Sequence, residues 1–399
     1  MLSKMEALNK SHVAISISTL ESSKPIVSYQ EDHYMTPASN IKLLTFLASL
    51  ESFDSLPALY YQDKDSVTHF KSTGYPLLLH PFYPDLELYS FLKGKNYLVY
   101  HKPKSKLKPQ GSGWSWDDYP HYFASEISPF PIYGNVIQGF GESINPNFVP
   151  NGFETHPTNN SSAANLVREQ FKNRFHYNYE KWNLKDTLYQ PFITSDDLFI
   201  RLLRDNLNLP VSFSTQSKRP EWGLLYTNQE GKLYKALLQD SDNGIAESLL
   251  VMISQKRFDE MNIERAIDTL KFQWRNWLPD PLEWVDGSGV SRYNMVTPRA
   301  LVAVLKKIYE KAGFQNIKNY FPSGFIKGNR SAAIKKYDLK NVYAKTGTLR
   351  HNHNLSGYWV SPNENIYVFS VMVNHHISPK SEVRDAMRQL LYKFQKKLK

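Results

Sequence analysis

Alternating apolar and polar residues predict strands near both ends of the chain. Residues 12–20 alternate with period two, and residues 25–30 are placed to return as their hairpin partner. Three further runs near the C-terminus, residues 341–349, 355–361 and 366–374, have the composition of strands. We expect the strands from both ends to share one antiparallel sheet.

Helical periodicity dominates the middle of the chain and its last residues. Residues 381–398 carry apolar side chains on one helical face, namely Val383, Met387, Leu390, Leu391 and Phe394. Helices predicted at 37–50, 233–253 and 298–311 would cover the sheet, and the first is apolar on nearly every side, as a buried helix is. The pattern therefore predicts a mixed α/β fold of the α+β type.

The chain is long enough for more than one core. Its 399 residues suggest two domains, and about 200 residues separate Lys42 from Ser241, more than one helical layer needs. Residues 63–188 are rich in Tyr, Pro, Trp and Asn, which indicates an inserted domain. We predict a main domain whose first part is 1–62 and whose second part is 189–399.

Composition narrows the functional classes. The chain has no cysteine, which excludes disulfides and thiolate metal sites, and no run approaches the ~18 apolar residues of a membrane span. Its net charge of +10 suits an anionic cell-wall surface, although solubility alone is the simpler explanation. Glycine-rich phosphate loops are absent, and aromatic residues do not interleave with the basic runs as nucleic-acid binding requires.

A serine and a lysine in S-x-x-K spacing occur at Ser39, Ser90 and Ser105, and context favours the first. Pro37 suits the entry to a helix, so Ser39 and Lys42 would meet on one face of its first turn. An apolar surrounding would favour the neutral, basic form of that lysine. The other two copies lie in basic, polar stretches that are typical of surface.

Two further short motifs follow. S-x-N occurs at Ser143, Ser241 and Ser361, and the copy at Ser241 separates two helix-like runs, where the alternative interpretation is a helix cap. K-T-G occurs once, at 345–347 on a strand-like run. The glycine at 347 would allow another part of the backbone to approach this strand closely. The alternative interpretation of the K-T-G run is an edge strand whose lysine is exposed to solvent.

Histidines offer other candidate sites. His351 and His353 follow the K-T-G run, and His375 and His376 follow another strand-like run. Because no carboxylate or cysteine stands at ligand spacing, we interpret all four as loop residues rather than metal ligands.

In their order, the three motifs resemble those of the penicillin-binding serine DD-peptidases. The chain is most similar to their D-alanyl-D-alanine carboxypeptidase/endopeptidase branch, the low-molecular-mass class C proteins, through residues 37–45, the D-G-S-G segment with Ser291, Arg292 and Asn294 within 286–294, and the W-x-W-D-D segment at 114–118. The resemblance runs from about Ala14 to the C-terminus and is weakest between 141 and 190. It implies a DD-peptidase/β-lactamase-like antiparallel sheet covered by helices, with an inserted domain.

The resemblance also implies roles for individual residues. Ser39 would be the nucleophile, Lys42 its base, and Ser241 a proton relay, with the backbone N–H groups of Ser39 and Thr348 as the oxyanion site. The residues expected to bind substrate are Asn243, Lys345, Thr346, Gly347, Thr348, Leu349 and Asp118. For Asp118, two alternatives are equally plausible: the residue caps a helix, or the neighbouring Asp117 takes the binding role. Asp286 and Ser288 would either shape the edge of the site or form a tight turn. No metal or organic cofactor is needed.

The function implied is hydrolysis of D-alanyl-D-alanine bonds in peptidoglycan stem peptides, with DD-endopeptidase activity in addition and β-lactams as covalent inhibitors. The resemblance also implies a periplasmic or otherwise exported protein, whose signal peptide is absent from this sequence. Two alternatives stay open: a β-lactamase or esterase on the same scaffold, and a non-catalytic cell-wall-binding homologue.

Overall fold

The protein is described by a computed structural model that covers residues 5–22, 24–142, 146–159, 165–182, 187–214, 221–323, 339 and 341–398. Two compact units divide the chain. The first comprises Met1–Asp54, Tyr234–Asp242 and Glu264–Lys399, and the second comprises Ser55–Leu233 and Asn243–Ile263. The domain boundaries at residues 62 and 188 stay a prediction.

The α-helices are α1 Glu6–Asn9, α2 Ile41–Ser52, α3 Leu86–Lys93, α4 Asp196–Leu207, α5 Glu230–Lys235, α6 Asn243–Phe258, α7 Ile263–Trp274, α8 Pro298–Tyr320 and α9 Lys380–Lys397. The strands are β1 His12–Thr19, β2 Val27–Tyr29, β3 Pro57–Lys64, β4 Val67–Ser72, β5 Tyr97–Tyr100, β6 Val136–Phe140, β7 Asn147–Val149, β8 Glu154–Thr158, β9 Leu166–Arg168, β10 Arg174–Asn178, β11 Leu188–Pro191, β12 Val211–Phe213, β13 Gly223–Tyr226, β14 Val342–Leu349, β15 Asn352–Val360 and β16 Ile366–Asn374.

The first unit is built on a five-stranded sheet with the order β14-β15-β16-β1-β2. Every neighbouring pair is antiparallel, and β1 lies against β16 in the register His12 to Asn374. The predicted sheet that joins both ends of the chain is therefore confirmed. It arises because β1, β15 and β16 are buried along nearly their whole length, on both faces, and therefore need neighbours and helices on every side.

The two faces of this sheet are covered differently. On one face, Leu355 and Val371 belong to a buried cluster that includes Val383 and Met387 of α9. On the other face, the buried Tyr358 donates a hydrogen bond of 2.6 Å to the Leu305 carbonyl oxygen of α8. Each aliphatic side chain buried in this way contributes roughly 1.5–3 kcal/mol, so both layers of helices are held on the sheet.

Two predicted helices differ from expectation in extent. The helix expected at 298–311 begins at Pro298, where Thr297 accepts a capping hydrogen bond from the Ala300 N–H, and continues to Tyr320. It passes Gly313, whose φ of 71° lies outside the helical region. The run 233–253 is interrupted, because a π-turn at Ala236–Asp240 and two loop residues separate α5 from α6.

The second unit contains a mixed five-stranded sheet with the order β12-β5-β4-β3-β13. Gly74, just after β4, packs so closely on α6 that a Cβ would lie 2.8 Å from Val251. Two three-stranded sheets, β8-β10-β9 and β11-β6-β7, occupy the region between residues 136 and 191, where the sequence predicted no strands. Across the described ranges of both units, no helix combines the length and apolar character that crossing a membrane requires.

Candidate active site

The first S-x-x-K motif lies where a single turn of 3-10 helix, Ala38–Asn40, runs into α2. Ala38 adopts a φ of 50°, a conformation that non-glycine residues seldom take and that is common at functional sites. The turn places Lys42 Nζ 3.2 Å from Ser39 Oγ. Lys42 is fully buried while Ser39 is partly exposed, so a hydroxyl that substrate can reach is backed by a buried amine.

A second contact fixes this lysine. Lys42 Nζ donates a hydrogen bond of 2.7 Å to the backbone carbonyl oxygen of Ser288. The carbonyl belongs to the D-G-S-G turn, in which the buried Asp286 carboxylate accepts from the Gly289 and Ser291 N–H groups and from Asn294 Nδ2. The segment is thus a tight turn that also orients the proposed base.

Ser241 occupies a strained position of its own. It follows the π-turn with a φ of 61°, and α6 begins two residues later. Lys345 Nζ donates to Ser241 Oγ at 2.8 Å and to the Thr346 carbonyl oxygen at 2.9 Å. Pi-turns and left-handed residues are frequent at functional sites, and here they bring a hydroxyl to the K-T-G lysine.

Electrostatics link the two serine–lysine pairs. Lys345 is 1% exposed. Burial lowers its pKa well below the usual value, the charge of Lys42 lowers it further, and the Asp240 carboxylate acts in the opposite direction. A lysine whose charge is disfavoured in this way is held more readily in its neutral form, which can accept and return a proton.

Gly347 shows why the K-T-G motif needs a glycine. A Cβ at this position would lie 2.3 Å from the Pro37 carbonyl oxygen and 2.8 Å from Asn40 Oδ1. Asn40 is fully buried, and its Nδ2 donates a 2.6 Å hydrogen bond to Ser356 Oγ on β15. The strand that carries Lys345 therefore packs directly on the turn that carries Ser39.

The remaining strand residues divide between the two sides of β14. Thr346 is exposed, and Thr348 and Leu349 are half-buried. The Thr348 hydroxyl lies 2.8 Å from His353 Nδ1. Because side chains alternate along a strand, these threonines point away from the face that carries Lys345 and Gly347.

Asn243 and Asp118 belong to the second unit. Asn243 Nδ2 donates to the Phe123 carbonyl oxygen at 2.7 Å. Asp118 ends the short turn Trp116–Asp118, and its carbonyl oxygen accepts from the His121 N–H at 2.9 Å. Both residues are thus tied to one aromatic loop of that unit, and their predicted roles in binding substrate stay predictions.

The other copies of the S-x-x-K and S-x-N motifs are not part of this site. Ser90 and Ser105 are exposed, as expected for surface segments, and Ser361 is buried in the turn after β15. Ser143 lies outside the described residues.

The interpretation of His353 as a loop residue is wrong. It lies on β15 and is only 2% exposed, because the alternation of this strand turns it inward opposite Thr348. His351 occupies the turn between β14 and β15, and His375 and His376 follow β16, as expected of loop residues.

Two structural partners of the site could not be recognised in the sequence. The Ser288 carbonyl that holds Lys42 is a backbone group 246 residues away, and nothing in the side-chain pattern reports it. The Asn40–Ser356 pair joins residues 316 positions apart. For Asn40, a polar residue inside an otherwise apolar helix start was the one available signal.

Proteins of known structure share the fold. The structure of penicillin-binding protein 4 (dacB) from Haemophilus influenzae matches with a TM-score of 0.76 and 19% identity over 98% of both chains. Bd3459, a predatory peptidoglycan endopeptidase from Bdellovibrio bacteriovorus, matches with a TM-score of 0.55 and 11% identity over 97% of this chain and 93% of its own.

Sequence comparison agrees with the structural one. D-alanyl-D-alanine carboxypeptidase DacB of Haemophilus influenzae is 23% identical over 97% of this chain and 90% of its own length. The family described as D-Ala-D-Ala carboxypeptidase 3 (S13) matches residues 1–57 and 231–394, which include all of the serine–lysine pairs. The chain therefore belongs to the D-Ala-D-Ala carboxypeptidase 3 (S13) family of hydrolases.

Proposed function

We propose that this enzyme releases the terminal D-alanine of peptidoglycan stem peptides through an acyl-enzyme on Ser39. The observation that carries the proposal is the pairing of Ser39 Oγ with Lys42 Nζ at 3.2 Å and of Ser241 Oγ with Lys345 Nζ at 2.8 Å within one unit. A serine backed by a buried amine is an activated nucleophile, and a second hydroxyl–amine pair can move a proton.

In the acylation step, Lys42 in its amine form accepts the proton of Ser39, and Oγ bonds to the carbonyl carbon of the penultimate D-alanine. The backbone N–H groups of Ser39 and Thr348 stabilise the oxyanion. Ser241 passes a proton to the nitrogen of the terminal D-alanine, so that the C–N bond breaks and the amino acid leaves. Water then attacks the ester and restores the Ser39 hydroxyl.

Substrate recognition is assigned by motif position. At the edge of β14, Lys345 with Thr346 or Thr348 binds the terminal carboxylate, and Leu349 lines the neighbouring pocket. Gly347 leaves room for the backbone of the turn that carries Ser39, so that the strand and its bound substrate lie close to the nucleophile. Asn243 hydrogen-bonds the amide of the acyl group, and Asp118 binds a free ammonium of the stem peptide. These last two roles rest on the family resemblance, since both residues belong to the second unit.

Two further expectations accompany the proposal. The Haemophilus influenzae protein has been crystallised with a β-lactam, and Bd3459 has been obtained acylated by penicillin G. We expect β-lactams to acylate Ser39 here, and the endopeptidase relative supports additional cleavage of cross-linked peptides. A substrate in the cell wall also requires export of the protein.

The test combines adduct mapping with product release. The protein is incubated with a β-lactam, any adduct is located by mass spectrometry, and D-alanine release from a stem pentapeptide is measured. A stable adduct on Ser39 with D-alanine release supports the proposal, and Ser39→Ala is expected to lose both while keeping the circular dichroism spectrum of the folded protein. Rapid β-lactam turnover without a lasting adduct would instead identify a β-lactamase, and neither adduct nor release would identify a non-catalytic wall-binding protein.

A further inference from the structure

A cavity of about 580 Å³ lies beside β14. Among the described residues that line it are Lys318, Thr346, Thr348, His353, Lys380 and Arg384. A volume of this order is typical of sites that hold whole small molecules, and it exceeds what the methyl side chain of a D-alanine requires.

The charged groups of the cavity have one sign. Lys318, Lys380 and Arg384 line it, whereas no carboxylate appears among its described lining residues. Within the described ranges, none of these three cations forms an ion pair with an acidic residue. Arg384 Nε is moreover buried without a hydrogen-bond partner. Cations gathered without counter-charges are an arrangement that a bound anion stabilises.

His353 adds a buried polar atom at the same place. The side chain is 2% exposed, its Nδ1 is engaged with the Thr348 hydroxyl, and its Nε2 is buried without a partner. Burial, and after it the positive charges of Lys380 and Arg384, lower the pKa of His353 to about 3, so the ring is neutral at neutral pH. When the Thr348 hydroxyl donates to Nδ1, the ring proton sits on Nε2 and is available to an acceptor.

The position of the cavity relative to β14 identifies the part of the substrate that reaches it. Thr346 and Thr348, to which the proposed function assigns the terminal carboxylate, also line the cavity. Because β14 is the edge strand of its sheet, a carboxylate shared by Lys345 and one of these threonines lies at the strand edge, between the two faces. A group that extends from there toward the threonine face, on the leaving-group side of the scissile bond, meets Lys380 and Arg384. An acidic group at this position would contact both cations. It would also accept a hydrogen bond from His353 Nε2 when the ring proton is on that nitrogen.

We propose that this cavity is a leaving-group subsite for a second carboxylate, so that the enzyme prefers a leaving amino acid or peptide that is acidic over one that is neutral. The inference rests on the proposed function for the direction in which substrate lies. The subsite also bears on the additional endopeptidase activity. An endopeptidase releases a peptide, which is larger than a single D-alanine, and the cavity would favour a released peptide that is acidic.

The test uses two peptides that differ by one charge. Both carry the same acyl part and end in D-Ala–D-Glu or D-Ala–D-Gln, and their kcat/KM values are compared within each protein. A ratio near tenfold in favour of the D-Glu peptide is expected for the unmodified enzyme, as one charge-assisted contact supplies about a tenfold preference. Lys380→Glu and Arg384→Glu are each expected to bring the ratio to about one or below.

Lys393→Glu is the matched control, because it makes the same charge change on α9 at a residue that is not among those lining the cavity. It is expected to keep the ratio of the unmodified enzyme. A ratio near one in the unmodified enzyme, or a ratio that falls equally in all three variants, would overturn the subsite.

Direct binding separates this inference from the catalytic proposal. The dissociation constants of both peptides are measured by calorimetry on Ser39→Ala protein, with and without Arg384→Glu. A preference for the D-Glu peptide that disappears with Arg384→Glu supports the subsite even if no hydrolysis is found, and equal affinities contradict it even if D-alanine release is fast.

Discussion

The two faces of β14 have opposite characters, although the same eight residues build both. On one face, Gly347 lies so close to the Ser39 turn that a Cβ would approach the Pro37 carbonyl oxygen to 2.3 Å. On the other face, Thr346 and Thr348 border a cavity of about 580 Å³ lined with cations. One face is closed and close-packed, and the other is open and charged.

This difference separates two tasks of a hydrolytic site. The closed face holds β14 at a fixed distance from the turn that carries Ser39, and its close packing leaves no room for added atoms. The open face is free to carry residues that select a substrate. The following predictions test that division, beginning with the largest expected effect.

Lys42→Ala removes the base from the closed face. We expect the rate of Ser39 acylation by a β-lactam to fall roughly 10³-fold, within the range typical of a lost general base. Stopped-flow or mass-spectrometric acylation kinetics measure the change, and Lys393→Ala is the control. A loss of less than tenfold would show that another group accepts the serine proton.

Gly347→Ala places a methyl group against the Pro37 carbonyl oxygen and Asn40. Because both neighbours belong to a packed turn, we expect a loss of about 1–3 kcal/mol in the free energy of unfolding, together with slower acylation. Gly223→Ala is the matched control, since its nearest neighbour would be the Tyr61 carbonyl oxygen at 3.4 Å. Equal urea midpoints for both variants would contradict a closed face.

His353→Gln tests the electrostatics of the open face. The pKa of His353 is about 3 in the folded protein against 6.5 as the reference, so below pH 6.5 the unfolded chain binds the proton more readily. This group therefore lowers the free energy of unfolding as pH falls from 6.5 to 3, by up to about 4 kcal/mol. We expect His353→Gln to make the dependence of urea unfolding on pH shallower over this window.

The control for that measurement is His33→Gln at an exposed position. Neither substitution changes Lys380 or Arg384, whose charges lower the pKa of His353 in the unmodified protein. An identical pH dependence in the unmodified protein and in His353→Gln would mean that the ring is not desolvated.

Ser356→Ala should have the smallest effect on the rate of acylation. It removes the acceptor of the buried Asn40 side chain and the donor to Ser370, which costs about 1–3 kcal/mol in unfolding free energy. Because Ser356 supports the closed face from behind, we expect acylation to slow only a few-fold. The exposed Ser381→Ala is the control, and a stability equal to that control would show that the pair contributes nothing.

Much of the fold could be predicted from local pattern. The period-two alternation identified β1, the strand-like composition of residues 366–374 identified β16, and the apolar run after Pro37 identified the buried α2. The strands between residues 136 and 191 could not be predicted, because they are short and partly exposed and lack a regular alternation of apolar residues. Part of their pairing also comes from strands distant in sequence, as where Leu188 of β11 lies opposite Gly139 of β6.

The candidate site, like the fold, has some features that the sequence predicts and others that depend on tertiary packing. Sequence alone determined that Ser39 and Lys42 meet, because residues three apart share a face of a helical turn, and the order of the three motifs determined the family. Only the tertiary structure decided that Lys345 reaches Ser241 across 104 residues, that the Ser288 carbonyl holds Lys42, and that His353 is buried beside Lys380 and Arg384. Local spacing is fixed by backbone geometry, whereas burial and long-range contacts depend on how the elements pack, and a single sequence carries little direct signal of that.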